Sequence, residues 1–198
     1  MLVTVASYKG GVGKTTTALH VAAYLYKKYK SVMLIDHDPN RTATEWAARG
    51  SALPFPVYSV DREAARQLPR FAHCVIDTAA RPGTADLAGL AKGSNLVIIP
   101  TLAAAGSLSA AMATAHALTA LDVPWRLLLT WVPPRPSKAG AETLAALQSQ
   151  QTPVFKTWIA RSSIYSNAEL AGKLACDLPG RRAQAAWEAY RSISKEIP

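Results

Sequence analysis

A run of glycines and basic residues near the start of this 198-residue chain has the types and spacing needed to hold phosphate. It is a variant of the Gly-x4-Gly-Lys-Thr pattern, and it reads Lys9-Gly10-Gly11-Val12-Gly13-Lys14-Thr15-Thr16. Glycines let the backbone turn tightly, so that successive amides point into one anion-binding nest. A helix that begins near Lys14 adds its positive end, and the Thr15 hydroxyl is a ligand for Mg²⁺. The pattern predicts a loop that binds the phosphates of ATP together with Mg²⁺.

Acidic residues follow two of the apolar runs further along the chain. Asp36 and Asp38 come after Val32–Ile35, and Asp77 comes after Cys74–Ile76. Carboxylates at this position can hold a metal ion or orient a water molecule beside the phosphate loop. For Asp36 and Asp38, a plain turn after a strand is the competing interpretation.

Short apolar runs alternate with longer helical patterns, which indicates the elements that position these residues. The runs are continuous rather than alternating, as is typical of strands buried on both faces. We therefore expect an α/β fold, a three-layer sandwich with a mostly parallel twisted sheet of the P-loop NTPase type, in a single domain over 1–198. The expected strands are Leu2–Ala6, Val32–Ile35, Cys74–Ile76, Leu96–Ile99, Leu127–Leu129 and Val154–Ile159, and the clearest helical patterns are Thr15–Tyr29, Asp61–Leu68, Ser107–Leu121 and Ala139–Gln150.

The composition indicates which kinds of binding partner and which cellular compartment to expect. Lysine and arginine number 22 against 13 acidic residues, and this net charge of +9 favours a polyanion: nucleic acid, an anionic membrane or a nucleotide. Two separated cysteines make neither a disulfide framework nor a zinc site. With no leader-like or membrane-length apolar run, we expect a cytoplasmic protein.

The second lysine of the loop, Lys9, is the most specific feature of the motif. Two lysines on one loop repel each other unless phosphate neutralises both, so Lys9 could reach a nucleotide held by a partner. The string from Lys9 to Thr16 resembles the deviant Walker A box of the ParA/MinD ATPases. In that family the extra lysine crosses a dimer interface to the partner's ATP, which implies the same role for Lys9.

The resemblance also implies roles for other residues. It assigns water positioning to Asp38, the metal shell to Asp36, Asp77 and Thr15, and catalytic roles to Lys9 and Lys14. Thr130 and Pro133 fall where the family approaches the adenine, although a buried strand followed by a plain loop explains them equally well. The segment after Asp77 departs from the family pattern, so the residues that sense the γ-phosphate are not assigned.

The resemblance covers nearly the whole chain and is closest to the small ParA-type partition proteins. It implies an ATP-dependent homodimer that binds nonspecific DNA, associates with the nucleoid and positions a cargo, with hydrolysis stimulated by a ParB-like or adaptor partner protein. The cargo would be a plasmid, a chromosome region or a protein assembly such as a carboxysome. The basic candidates for DNA contact are Arg161, Lys173, Arg181, Arg182, Arg191 and Lys195.

Two alternatives remain open on the sequence. A MinD-like ATPase would act at a membrane surface, but the tail from Trp187 lacks a cluster of large apolar and basic residues, so we expect no membrane binding. A metabolic P-loop enzyme, such as an amidoligase or an iron–sulfur reductase component, is the other. The cluster version needs suitably placed cysteines, and Cys74 in an apolar run argues against it.

Overall fold

The structure is a computed structural model that describes residues 1–50 and 53–198. Within these residues the chain forms a six-stranded, all-parallel sheet with the strand order β3-β2-β4-β1-β5-β6. The predicted α/β fold is confirmed, and the sheet is entirely rather than mostly parallel. The strands are β1 (Leu2–Ser7), β2 (Val32–His37), β3 (Val57–Ser59), β4 (His73–Ala80), β5 (Leu96–Thr101) and β6 (Trp125–Leu129).

Helices cover both faces of the sheet, because its central strands are apolar on both sides. Val3 and Val5 pack towards α1, α2, α7 and α8, whereas Ala6 and Ile99 pack towards α4, α5 and α6. Helix α3 lies over a smaller cluster around Met33 on the second face. The helices are α1 (Lys14–Tyr29), α2 (Thr42–Ala48), α3 (Arg62–Gln67), α4 (Thr84–Ala91), α5 (Ala105–Thr119), α6 (Ala139–Ser149), α7 (Ser163–Leu170) and α8 (Arg181–Ser194).

The strand order brings the chemically important segments to one edge of the sheet. β1, which leads into the glycine loop, lies beside β4, and β4 lies beside β2. Asp36 on β2 is paired with Asp77 on β4. Since all strands are parallel, their carboxyl ends and the loops that follow them meet at this edge.

One predicted strand is wrong. Val154–Ile159 does not extend the sheet as a regular strand; it touches β6 through an isolated bridge between Val154 and Leu127. The amides of Phe155 and Ile159 still bond to carbonyls of β6, at 2.9 Å each, but the residues between them form a loop. The sequence did not single out β3 or α2. Strand β3 forms the edge of the sheet opposite β6, and α2 lies between β2 and β3 in the chain.

The last helix packs on the helix that follows the glycine loop. Ala183, Ala186, Tyr190 and Ile193 of α8 are buried, and the Tyr190 hydroxyl lies 3.2 Å from that of Thr17 on α1. In the described part of the chain, none of the helices combines the length and the apolar character needed to cross a bilayer.

Candidate functional site

The glycine loop adopts a conformation that presents its backbone amides to an anion. Gly11 and Gly13 have φ values of 70° and 79°, in the left-handed region that glycine enters without penalty. Gly13 is also the residue directly before α1, so the loop opens onto the positive end of a 16-residue helix. A Cβ added at Gly13 would lie 2.7 Å from the Trp131 ring, so this glycine also allows the indole to pack behind the loop.

The two lysines of the loop lie in different environments. Lys14 is buried, and its ammonium lies 3.5 Å from the Lys9 carbonyl oxygen. Burial lowers the pKa of Lys14, and the nearby carboxylates of Asp77 and Asp38 partly oppose that shift. Lys9 is exposed at the rim of the loop. The structure therefore places one lysine inside the site and leaves the other facing outwards.

Asp77 is the most perturbed acid of the site. Its side chain is fully buried, and neither carboxylate oxygen has a hydrogen-bond partner of good geometry among the described residues. Burial raises the pKa of Asp77 to about 7; the Thr15 hydroxyl and the Lys14 ammonium oppose the rise, and the charge of Asp36 adds to it. A buried, unpaired carboxylate is costly unless a cation or a donor approaches it.

Asp36 and Asp38 are already engaged in local hydrogen bonds. One oxygen of Asp36 accepts the amide and the hydroxyl of Thr44, both at 2.8 Å, and the other accepts the Asp38 amide at 3.2 Å. Asp38, which is partly exposed, accepts the Asn40 amide at 2.9 Å. Asp36 therefore anchors the start of α2 through Thr44. The sequence did not reveal this contact.

The residues fit a magnesium ion that is shared with a bound nucleotide. Among residues 1–50 and 53–198, no group of three or more His, Cys, Asp or Glu side chains is arranged to hold a metal ion by itself. Mg²⁺ is usually held by one or two protein ligands together with substrate phosphates. The unpaired oxygens of Asp77 and the Thr15 hydroxyl suit that arrangement, since Thr15 lies in the first turn of α1.

The two residues predicted to contact adenine, Thr130 and Pro133, precede and follow Trp131 in the chain. Thr130 is buried, and its hydroxyl donates to the Val12 carbonyl at 2.8 Å, so its side chain supports the loop from beneath. Pro133 lines an open cavity of about 770 Å³ together with Trp158. Contact of Thr130 or Pro133 with adenine stays a prediction, for which the cavity beside Pro133 offers space.

A buried histidine connects the loop helix to the C-terminal part of the chain. His20 is fully buried and stacks on Tyr190, with ring centroids 4.7 Å apart. Its Nδ1 lies 2.7 Å from the Thr16 carbonyl, and its Nε2 accepts the Ala175 amide at 3.1 Å. Sequence reasoning left this residue out because a histidine in a helix gives no sign of what it will meet.

The candidate DNA-contacting residues are all exposed. Arg161 and Arg182 line the same cavity of about 450 Å³. Arg191 is paired with Glu188 at 2.7 Å. Arg181 begins α8, Lys195 follows its last turn, and Lys173 lies beside Trp46, whose indole donates to the Lys173 carbonyl.

The fold and the loop together define a P-loop nucleotide-binding protein, and comparison with known proteins agrees. The family model described as the CobQ/CobB/MinD/ParA nucleotide binding domain matches residues 3–175. The Maintenance of carboxysome distribution protein A of Gloeobacter kilaueensis is 32% identical over 202 residues, which cover 99% of this chain and 93% of that protein. The chain therefore belongs to the CobQ/CobB/MinD/ParA family.

Solved structures show the same fold across nearly the whole chain. A complex of a Cyanothece McdA variant with ATP has a TM-score of 0.80 at 18% identity, over 98% of this chain and 95% of that one. A putative plasmid partition protein from Borrelia burgdorferi, bound to AMPPNP, has a TM-score of 0.74 at 17% identity and covers 97% of both chains. At such identities these likenesses establish the fold alone.

Proposed function

We propose that this protein is a ParA-type ATPase that binds ATP with Mg²⁺, dimerises around the nucleotide, binds nonspecific DNA and positions a cargo. The observation that carries the proposal is the contrast between the two lysines of the loop. Lys14 is buried beside Asp77, whereas Lys9 is exposed at the rim. An exposed lysine next to a phosphate loop is suited to a nucleotide held by a second copy of the chain.

Each residue of the site has a task that follows from its position. The amides from Gly10 to Thr15, which include the N-terminal end of α1, bind phosphate oxygens. Lys14 supplies a positive charge beside these oxygens. Asp77 and Thr15 would hold the Mg²⁺. The metal ion would supply positive charge beside the phosphates, and ATP would supply the γ-phosphate. Asp38 remains partly exposed and would orient the attacking water.

The cargo is proposed from a relative that matches over nearly the whole chain, a protein named for carboxysome distribution. A protein assembly is therefore our first choice, ahead of a plasmid or a chromosome region. A partner protein that stimulates hydrolysis completes the proposed cycle. The apolar side of α8 packs on the protein itself, so this helix does not offer its buried face to a membrane.

The DNA part of the proposal is tested by filter binding of the Arg161→Glu and Arg182→Glu double variant to double-stranded DNA of mixed sequence, with ATP or ADP. We expect ATP-dependent binding by the wild type and a weaker affinity with a shallower salt dependence for the variant, because phosphate contacts are lost. The double variant Arg62→Glu and Arg66→Glu is the matched control, since both arginines are exposed on α3 and neither is a candidate for DNA contact. Equal binding by all three proteins would contradict the assignment of this surface.

A further inference from the structure

Among residues 1–50 and 53–198, the backbone is left-handed at six residues other than glycine, and these form two groups. Lys30, Asp122 and Gln151 lie just after α1, α5 and α6, where a left-handed residue commonly ends a helix. Arg41, Arg81 and Trp131 instead lie in loops that follow strands, all at the carboxyl edge of the sheet. A left-handed residue other than glycine that does not end a helix is strained, and such strain concentrates at functional sites.

Of this second group, Arg81 is the one whose neighbours point to a ligand. Its φ is 55°, and it directly follows β4, the strand that carries Asp77. The pairing of β1 with β4 shifts so that Ser7 lies opposite Ala80. A Cβ at Gly10 would lie 3.7 Å from that of Ala80, so Arg81 is one residue away from a contact with the phosphate loop.

The surroundings of Arg81 provide no other use for its charge. The side chain is exposed, and no acidic side chain in the described residues forms an ion pair with it. The planar guanidinium binds phosphate oxygens in pairs, and it keeps its charge at any physiological pH. The loop already carries Lys9 and Lys14, so a third cation at this edge suits a ligand with several negative charges.

We infer that Arg81 binds the γ-phosphate of the nucleotide held by the phosphate loop of its own chain, and thereby distinguishes ATP from ADP. This inference rests on the proposed function, because it requires that the loop bind nucleotide. It explains why a strained conformation is kept at Arg81, where glycine would relieve the strain. The left-handed turn lies one residue beyond Ala80, which is the β4 residue nearest to Gly10 of the loop.

The test compares Arg81→Gly with the wild type by calorimetric titration with AMPPNP and with ADP, each in the presence of Mg²⁺. Glycine keeps the left-handed backbone and removes only the side chain, so the melting temperature of the free protein should stay the same or rise. We expect the affinity for AMPPNP to fall about tenfold or more, the loss of a charge-assisted phosphate contact, with the ADP affinity within about twofold of wild type. Arg81→Lys should lie between the two for AMPPNP.

Lys30→Gly is the matched control, because Lys30 is also an exposed cation with a φ of 61° but lies at the opposite end of α1. It should bind both nucleotides as the wild type does. An Arg81→Gly protein that binds AMPPNP normally, or that loses AMPPNP and ADP affinity equally, would overturn the role of Arg81 while leaving the proposed function standing. A wild-type protein that binds neither nucleotide would overturn both.

Discussion

At the scale of single residues, the site is built around one carboxylate that the free protein leaves unpaired. Asp77 is buried between the phosphate loop and β2 without a hydrogen-bond partner of good geometry among the described residues. Such a group destabilises the free protein and is relieved when a cation binds. We therefore expect Asp77 to lower the stability of the free protein and to raise its affinity for a cation. Substitution of Asp77 should reveal both effects.

Asp77→Asn should stabilise the nucleotide-free protein at pH 8. The pKa of Asp77 is raised from 3.8 to about 7 in the folded chain, mainly by burial. Between these values the folded chain holds a proton that the unfolded chain lacks, so stability is lost as the pH rises through this window. Removing the charge should recover up to about 4 kcal/mol of unfolding free energy at pH 8, measured by urea denaturation in EDTA.

The same variant should lose the stabilisation that Mg²⁺ and ATP give to the wild type. The two melting curves should therefore change order: the variant melts higher without ligand, and the wild type melts higher with saturating Mg²⁺-ATP. A variant that gains as much from Mg²⁺-ATP as the wild type does would show that Asp77 is not a metal ligand.

At the scale of elements, the loop depends on a close contact between Gly13 and Trp131. Gly11→Ala and Gly13→Ala both place a Cβ at a positive φ, but only the second also meets the indole. We expect a loss of about 1–2 kcal/mol for Gly11→Ala, from the left-handed backbone alone. The loss for Gly13→Ala should be about 2–5 kcal/mol, because overpacking adds to the strain.

Thermal denaturation of both variants measures this difference. Combining Gly13→Ala with Trp131→Leu should recover part of the second loss, since the smaller side chain leaves room for the new methyl group. Equal destabilisation by the two single variants would show that the indole does not limit this position.

His20 should make the packing of α1 against the C-terminal segment sensitive to acid. Burial lowers the pKa of His20 from 6.5 to about 4 in the folded chain. Between those values the unfolded chain binds a proton that the folded chain refuses, so stability falls as the pH drops from 6.5 towards 4, by up to about 3 kcal/mol. His20→Asn should be less stable at pH 7 but should show a flatter decline in denaturation experiments over this range.

His116→Asn is the control, because His116 is exposed on α5. It should keep the wild-type pH dependence. A His20→Asn protein whose stability declines with the wild-type slope would mean that other groups produce the acid sensitivity.

The sequence predicted those parts of the site that depend on local pattern. The loop from Lys9 to Thr16, the strand before it and the position of Asp36 and Asp77 where two apolar runs end follow from glycine spacing and apolar runs. The indole behind Gly13 and the contacts of His20 with Tyr190 and Ala175 could not be foreseen, because they join segments far apart in the chain. The Asp36–Thr44 bond is local, but it depends on how the turn between β2 and α2 folds back, which no pattern of residue types specifies. Val154–Ile159 was mistaken for a strand because its apolar residues contact β6 at intervals only.

At the scale of the whole molecule, the proposed function requires two copies of the chain to assemble. The described strands all end at the edge that carries the loop, and Lys9 is exposed at this edge. A second copy of the chain that met the first there would come within reach of Lys9. Asp38 is assigned to hydrolysis rather than to binding, so its removal should trap the ATP-bound form. A variant that binds ATP but does not hydrolyse it allows the dimer to be measured while ATP stays intact.

The most direct test is the solution mass of Asp38→Ala, measured by size exclusion with light scattering in saturating Mg²⁺-ATP and in ADP. We predict twice the monomer mass with ATP and the monomer mass with ADP. Adding Lys9→Ala to the same protein should return it to the monomer mass in ATP while nucleotide binding is kept. A monomer at saturating ATP, or a dimer that persists without Lys9, would contradict the claim that the second lysine joins two chains through their nucleotides.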